Sequence, residues 1–267
     1  MMTIKSPPRF ACTVTTAALP FSILLGCLLA MAPWQGARAE TASKIPDYLL
    51  IEAIVPVAKD ANWWTKRHDQ KVREARAGDV GMIMIGDSLV HNFEKRGRQL
   101  WYLYFGRYRP LNLGFNADLT EHALWRLQNG ELDGISPKLA IIMIGTNNGG
   151  LRRDAPENTA AGIAAILDEI HIRLPDTKVL LLGIFPRGPL RKHPLRKLNA
   201  SVNDVLPELA EEPNVRFLDI SDVFLDDKGR LHRAIMYDFL HPTVKGYQIW
   251  AEAISPTVIE MMKEPIP

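Results

Sequence analysis

The sequence predicts an α/β domain whose centre is a five-stranded parallel β-sheet. Five short apolar runs recur along the chain, and segments with helical periodicity separate them. Most of these runs are continuously apolar, which is typical of strands that are buried on both faces. Strands that alternate with helices indicate a parallel sheet with right-handed crossovers and with helices on both faces.

Each element is predicted from its own pattern. The expected strands are residues 80–85, 111–113, 139–144, 179–184 and 215–218, and the expected helices are 63–77, 120–127, 195–209 and 244–255. A further helix is expected from Asp154, because Asp154 and Glu157 have a spacing like that of a capping box. Its apolar face follows at helical spacing: Ile163, Ile166, Leu167, Ile170 and Leu174.

The first 39 residues have the pattern of a secretory signal peptide. Lys5 and Arg9 precede an apolar stretch at 17–32, and Ala37 and Ala39 are the small residues of an A-x-A cleavage site. We therefore expect one domain at 40–267 and a periplasmic or secreted protein. Two alternatives are an uncleaved membrane anchor, although the apolar run is shorter than the roughly 20 residues that span a bilayer, and a lipoprotein acylated at Cys27.

Composition narrows the chemistry of the mature chain. Cleavage after Ala39 removes Lys5, Arg9 and Arg38 and no acids, which leaves 29 basic and 30 acidic residues. This balance gives no indication of a nucleic-acid partner. Both cysteines, Cys12 and Cys27, belong to the leader. The mature chain is therefore expected to lack disulfides, thiolate catalysis and cysteine zinc sites.

Polar residues follow three of the predicted strands: Gly86, Asp87 and Ser88 after the first, residues 114–118 after the second, and residues 145–148 after the third. The carboxyl ends of parallel strands meet at one edge of the sheet, where ligands bind. The passage from a strand into a helix would expose the Ser88 hydroxyl and would direct helix-terminal N–H groups at a nearby anion. The simpler interpretation is that Asp87 or Ser88 caps that helix.

A serine needs a base to act as a nucleophile at neutral pH, and Asp238 and His241 are the candidate pair. Three residues apart and just before the last helix, they could present an oriented imidazole to Ser88. The alternative is a pair on the surface. The same spacing recurs at Asp168 and His171, where a position in the middle of a helix favours a solvated role.

Asn147, at the end of the third predicted strand, is a candidate donor to an oxyanion, and Gly145 permits a close backbone approach there. The alternative is an asparagine that only stabilises a turn.

Three blocks in this order, "GDSL" at 86–89, "GTNN" at 145–148 and "DFLH" at 238–241, resemble those of the GDSL esterases, also called SGNH hydrolases. The segments "ALWRLQNGELDG", "LLLGIFPRG" and "PLRKLNA" resemble the catalytic subunits of intracellular platelet-activating factor acetylhydrolase and their bacterial relatives. The resemblance implies a flavodoxin-like three-layer α/β/α sandwich. It also implies no metal or cofactor, with Ser88 as nucleophile, His241 as base and Asp238 as the acid that orients it.

The resemblance further implies that the oxyanion is bound by the N–H of Ser88, the side chain of Asn147 and an N–H from "NLGFNAD" at 112–118. The family pattern there is Asn-x-Gly-x-Gly-Gly-Asp. Gly114 is retained, whereas Asn116 and Ala117 replace the later glycines. Ala117 is aligned with the donor, and Gly114 is the alternative donor.

These observations predict an exported esterase for short-chain acyl esters, acting on a small-molecule, lipid or acetylated carbohydrate ester. They predict no membrane span after cleavage, and they allow a homodimer. Two other functions stay open. One is a metallophosphoesterase using Asp87, His91 and Asn147, and the other is an exported binding protein that keeps the pocket without turnover.

Overall fold

The computed structural model describes residues 51–211 and 214–263. The predicted leader, its cleavage site and both cysteines lie outside the described residues. None of the helices within the described part of the chain is both long and apolar enough to cross a membrane.

The centre of the fold is a parallel sheet in the order β2-β1-β3-β4-β5. Its strands are β1 Met82–Gly86, β2 Pro110–Gly114, β3 Leu139–Met143, β4 Lys178–Leu182 and β5 Val215–Leu218. This is the flavodoxin-like strand order, so the predicted fold class is confirmed. In the register, Gly86 pairs with both Gly114 and Met143, which brings the ends of β1, β2 and β3 level with one another.

Seven α-helices are described in these residues: α1 Asn62–Arg76, α2 Ser88–His91, α3 Arg98–Phe105, α4 Thr120–Arg126, α5 Pro156–Arg173, α6 Pro194–Val205 and α7 Val244–Lys263. They cover both faces of the sheet. Alternate residues of β1 show this, because Ile83 and Ile85 pack in one buried cluster with residues of α4, α5 and α6. Met82 and Met84 pack in the other cluster with residues of α3 and α7.

Three helix boundaries differ from the sequence predictions by two residues or more. The helix predicted at 195–209 ends earlier, since α6 ends at Val205 and Leu206–Glu211 form a 3-10 helix. The capping box at Asp154 is wrong: α5 begins at Pro156 after Ala155, which has no side-chain cap. The Asp154 carboxylate instead accepts hydrogen bonds from Arg152 and Asn148. The last helix continues beyond the predicted end and through Pro256 to Lys263, because its later turns bury Val258 and Met261 in the core.

Candidate active site

Ser88 is presented by a tight turn between β1 and α2. Gly86 is required in this turn, because a Cβ there would lie 2.4 Å from both the Met143 carbonyl oxygen and Val90 Cγ2. Asp87 is the N-cap of α2, and its Oδ1 accepts a hydrogen bond from the Leu89 N–H at 2.9 Å. Capping is therefore the task of Asp87, which leaves the hydroxyl of Ser88 available.

The hydroxyl of Ser88 meets the predicted base. Ser88 Oγ lies 2.9 Å from His241 Nε2, and His241 Nδ1 lies 2.6 Å from Asp238 Oδ2. The other carboxylate oxygen of Asp238 accepts from the backbone N–H groups of Leu240 and His241. Burial tends to raise the pKa of Asp238, but the hydrogen bonds from His241 and Leu240 outweigh it and lower the pKa. Asp238 is thus held as a carboxylate that fixes the His241 ring.

The loop that carries these two residues is held in a special conformation. Phe239, between Asp238 and His241, has φ of 63°, in the left-handed region that non-glycine residues seldom adopt. Its carbonyl accepts from the Gly188 N–H at 2.8 Å, and the Tyr237 N–H donates to the His241 carbonyl at 3.1 Å. Backbone strain of this kind persists only where surrounding contacts impose it, and it is common at functional sites.

Asn147 follows β3 and is nearly buried, with 6% of its surface exposed. Its Nδ2 donates to the Asp118 carbonyl at 3.0 Å. A side-chain amide has two N–H groups, so one hydrogen bond orients the amide and the other N–H remains available. Gly145 has φ of 121°, and a Cβ there would lie 2.7 Å from Ile184 Cδ1, so this position needs glycine.

The backbone N–H groups at the end of β2 and in the β2–α4 loop, residues 115–119, include the candidate donors to an oxyanion. The Gly114 N–H donates to Asn112 Oδ1 at 2.9 Å, and the Asn116 N–H donates to His91 Nδ1 at 3.2 Å. The Ala117 N–H has no hydrogen-bond acceptor among the residues the structure describes. Ala117 is exposed and has φ of 57°, so it occupies the left-handed conformation that glycine adopts without strain. These contacts favour Ala117 over Gly114 as the donor.

Asp118 anchors the same loop through a buried network that the sequence did not reveal. Trp64 Nε1 donates to its Oδ1 at 2.8 Å, and Arg126 Nε donates to its Oδ2 at 2.9 Å. Arg126 also pairs with Glu131 and donates to the Leu113 carbonyl. The only signal in the sequence was that Asp118, Arg126 and Glu131 lie in segments that resemble the esterases.

Asp87 is the most strongly perturbed acid beside Ser88. Burial raises the pKa of Asp87 to about 7, although the hydrogen bond from Leu89 lowers it, and Asp118 raises it further. Its Oδ2 is buried and has no hydrogen-bond partner among the described groups. The unpaired oxygen explains why the carboxylate form is disfavoured.

The second Asp–His pair and the proposed metal ligand His91 lie in surroundings that differ from those of the Ser88 site. Asp168 and His171 lie near the C-terminal end of α5, where Asp168 is exposed as expected. The expected solvated position is wrong for His171, which is half-buried and whose Nε2 is buried without a hydrogen-bond partner among the described groups. His91 is buried and uses Nδ1 to accept from the Asn116 N–H. Burial, with the nearby charges of Arg67, Lys95, Lys71 and Arg126, lowers the pKa of His91 to about 3. Within residues 51–211 and 214–263, no three His, Cys, Asp or Glu side chains are grouped so as to bind a metal ion.

The fold and site define a hydrolase that presents a serine at the carboxyl edge of a parallel sheet. Residues 84–249 match the model of the GDSL-like Lipase/Acylhydrolase family. The rat platelet-activating factor acetylhydrolase IB subunit alpha2 is 35% identical over 205 residues, which are 75% of this chain and 86% of that protein. The human subunit alpha1 is 34% identical over 202 residues, 75% of this chain and 85% of the relative. The chain therefore belongs to this family, and it is a serine hydrolase that acts on ester bonds.

Solved structures support the fold. A putative acylhydrolase from Bacteroides fragilis superposes with a TM-score of 0.64 at 19% identity, covering 77% of this chain and 100% of its own. An acetylxylan esterase from Geobacillus stearothermophilus superposes with a TM-score of 0.54 at 19% identity, covering 70% of this chain and 97% of its own. At these identities the likeness concerns the architecture alone.

Proposed function

We propose that the protein is an exported serine esterase that hydrolyses short-chain acyl esters through Ser88, His241 and Asp238. The observation that carries this proposal is the continuous chain of contacts, with Ser88 Oγ 2.9 Å from His241 Nε2 and His241 Nδ1 2.6 Å from Asp238 Oδ2. Such a chain lets the imidazole accept the serine proton while the carboxylate orients the ring and stabilises its positive charge.

The reaction would proceed in two halves. Ser88 Oγ attacks the ester carbonyl as His241 Nε2 takes its proton, and His241 then gives that proton to the departing alcohol. An acyl group remains on Ser88. His241 then takes a proton from water, which attacks the acyl carbon, and it returns this proton to Ser88 Oγ as the bond to the acyl group breaks and the acid leaves. The histidine ends each half-reaction in its starting form.

The negative oxygen that develops in each half would be bound by three donors: the Ser88 N–H, the Ala117 N–H and the Asn147 side chain. Donors fixed before the reaction stabilise such charge most effectively. The hydrogen bond from Asn147 to the Asp118 carbonyl supports this role, because it holds the amide in place.

Two features favour short acyl groups. The methyl group of Ala117 occupies a position where the family pattern has glycine, so it would narrow the acyl site. The relatives named platelet-activating factor acetylhydrolase also point to acetyl esters. The alcohol could belong to a small molecule, a lipid or an acetylated carbohydrate.

Labelling by a fluorophosphonate tests the nucleophile. The unmodified protein should become labelled at Ser88 and should hydrolyse p-nitrophenyl acetate faster than p-nitrophenyl octanoate, with or without EDTA. Ser88→Ala should lose both labelling and hydrolysis, while Ser201→Ala, at an exposed serine on α6, should retain them. Activity that EDTA abolishes and manganese or zinc restores would favour the metallophosphoesterase, whereas stable binding of esters without turnover or labelling would favour the binding protein.

Asn147→Ala tests the oxyanion site. Loss of one such donor lowers kcat by about 10²–10³, and KM should change little because the contact forms with the developing charge. Asn147→Asp, which keeps the shape and removes the N–H donors, should behave similarly, and thermal unfolding should verify that both variants are folded. A near-normal kcat in both variants would contradict the role of Asn147.

The proposal that the protein is exported rests on the leader pattern. The intact mass of the mature protein tests it. The protein recovered from the cell envelope or the medium should begin at Glu40. A lipidated N-terminus at Cys27 would indicate the lipoprotein alternative, and an intact leader would contradict cleavage.

A further inference from the structure

Arg187 lies between two loops of the candidate active site. Its Nη1 donates to the Thr146 carbonyl at 3.1 Å, next to Asn147. The neighbouring Gly188 N–H donates to the Phe239 carbonyl at 2.8 Å, in the loop that carries Asp238 and His241. The β4–α6 loop therefore joins the loops that carry Asn147 and His241, and it places the guanidinium group beside Thr146.

The position of this guanidinium is fixed by close packing. A Cβ at Gly150 would lie 2.0 Å from Arg187 Nη1 and 3.0 Å from its Cζ. The absence of a side chain at position 150 thus provides the space that the Arg187 side chain fills. The hydrogen bond to the Thr146 carbonyl and the packing against Gly150 hold the guanidinium group in place. They do not use all of its N–H donors.

Arg187 is partly buried, yet no carboxylate in the described part of the chain forms an ion pair with it. Arg152 shows the contrast, since it pairs with Glu52, Glu121 and Asp154. Burial lowers the pKa of Arg187, Asp87 and Asp238 act to raise it, and Arg153 lowers it further. A partly desolvated cation without a paired anion is unfavourable by itself and is a common property of a binding site.

We propose that Arg187 forms an anion subsite that binds a carboxylate on the alcohol part of the ester, a specificity that rests on the serine esterase function proposed above. With Nη1 bound to Thr146, the remaining N–H groups can bind the two oxygens of a planar carboxylate side by side. The alcohol is the relevant part of the substrate because His241 donates its proton to the departing alcohol, and the Arg187 loop is joined to the His241 loop. Arg153 adds positive charge nearby.

A pair of substrates that differ in charge tests this subsite: 4-acetoxybenzoate and 4-acetoxybenzamide. The measured quantity is the ratio of their kcat/KM values, compared between enzymes, so that the different reactivities of the two esters cancel. Arg187→Met retains an unbranched side chain and removes the charge. It should lower the preference for the benzoate about tenfold, mainly through KM, as expected for loss of charge-assisted hydrogen bonds. Arg98→Met, at an exposed arginine on α3, should leave the ratio unchanged.

Two results would overturn the anion subsite. Equal losses of kcat on both esters in Arg187→Met would mean that Arg187 only positions Thr146 and Asn147, and an unchanged ratio would mean that no anion is recognised. Failure of the esterase function itself is separate, because the unmodified protein would then hydrolyse neither ester and would not react with the fluorophosphonate at Ser88.

Discussion

At the scale of single residues, Asp87 and Ser88 are neighbours with separate tasks. The sequence left two interpretations of this pair open, a helix cap and a nucleophile. In the structure, the Asp87 carboxylate accepts a hydrogen bond from the Leu89 N–H, and the Ser88 hydroxyl lies within hydrogen-bond distance of His241 Nε2. One residue thus satisfies the helix terminus while the next keeps its hydroxyl for the imidazole. Sequence alone could not separate these tasks, because they depend on which side chain turns toward the helix.

Asp87→Asn should change how stability depends on pH. The pKa of Asp87 is raised from 3.8 to about 7 in the folded protein, so the folded state binds this proton more tightly than the unfolded state. The stability that this proton contributes is complete below the pKa of Asp87 in the unfolded chain. It is lost as pH rises through the pKa of Asp87 in the folded protein. Asparagine caps helices equally well without titrating. The melting temperature of the variant, minus that of the unmodified protein, should therefore increase from pH 5 to pH 8.

Asp168→Asn is the matched control, since Asp168 is exposed on α5. Its melting temperature should follow that of the unmodified protein across the same range. A difference for Asp87→Asn that stays constant with pH would contradict the assigned protonation of Asp87.

Ala117→Gly should raise stability while preserving the backbone donor. A left-handed conformation costs a non-glycine residue about 1–2 kcal/mol, and glycine loses about 0.5–1 kcal/mol of this through greater freedom in the unfolded chain. The free energy of unfolding in urea should thus rise by up to about 1.5 kcal/mol. Hydrolysis of acetyl esters should persist, and longer acyl esters should become better substrates if the methyl narrows the site. A less stable variant would contradict the observed φ of 57°.

At the scale of elements, α2 is too short to be stable by itself and depends on the strand beside it. Asn112 Nδ2, from β2, donates to the Val90 carbonyl at 2.7 Å. A Cβ at Gly114 would lie 2.3 Å from the His91 backbone nitrogen, so β2 and α2 are in direct backbone contact. α2, which carries Ser88, and the loop that carries Ala117 therefore form one packed unit.

His91→Phe should weaken this unit. The phenyl ring fills a similar space but cannot accept the Asn116 N–H, and loss of the acceptor for this partly buried donor costs up to about 1–3 kcal/mol. We expect unfolding free energy to fall by this amount and kcat on p-nitrophenyl acetate to fall as the β2–α4 loop loosens. His91→Gln retains an acceptor and should lose less of both. If the two variants lose equally, acceptance from Asn116 is not the function of His91.

The strands were the most predictable elements. β1, β3 and β4 are buried along their whole length, and such strands appear in a sequence as continuous apolar runs. α3 was not predicted, since its "RQLWYLYF" sequence mixes buried Trp101 and Phe105 with exposed Tyr102 and Leu103. The start of α5 was misplaced because Asp154 binds Arg152, a tertiary choice that spacing alone does not reveal.

At the scale of the whole molecule, two apolar clusters cover the faces of the sheet, and an ion network is buried near its carboxyl edge. Ser88, Asn147, Asp238 and His241 could be chosen as candidate site residues because they lie in short blocks. The network around Arg126 could not be predicted, since no pattern in the sequence indicates that Asp118 would bind Trp64 and Arg126. Distances between such residues follow from the packing of complete helices on the sheet.

Arg126→Met should be strongly destabilising. Arg126, Asp118 and Glu131 have no exposed side-chain surface, and removal of one partner from a buried ion pair costs about 3–5 kcal/mol. Arg76→Met removes an exposed pair with Asp133 and should change stability by less than about 1 kcal/mol. Urea unfolding measures both changes. Similar values for the two variants would show that the buried network has little role in stability.

The distance along the chain between Ser88 and His241, 153 positions, has a consequence for biosynthesis. Ribosomes make a protein from its N-terminus, so β1 and Ser88 emerge long before the histidine that would activate them. Trp250 and Ile254 of α7, which complete one face of the core, emerge later still. A chain that ends before His241 would therefore hold Ser88 without its proposed base on an incompletely covered sheet, and hydrolysis by Ser88 would begin only after His241 and α7 have been made.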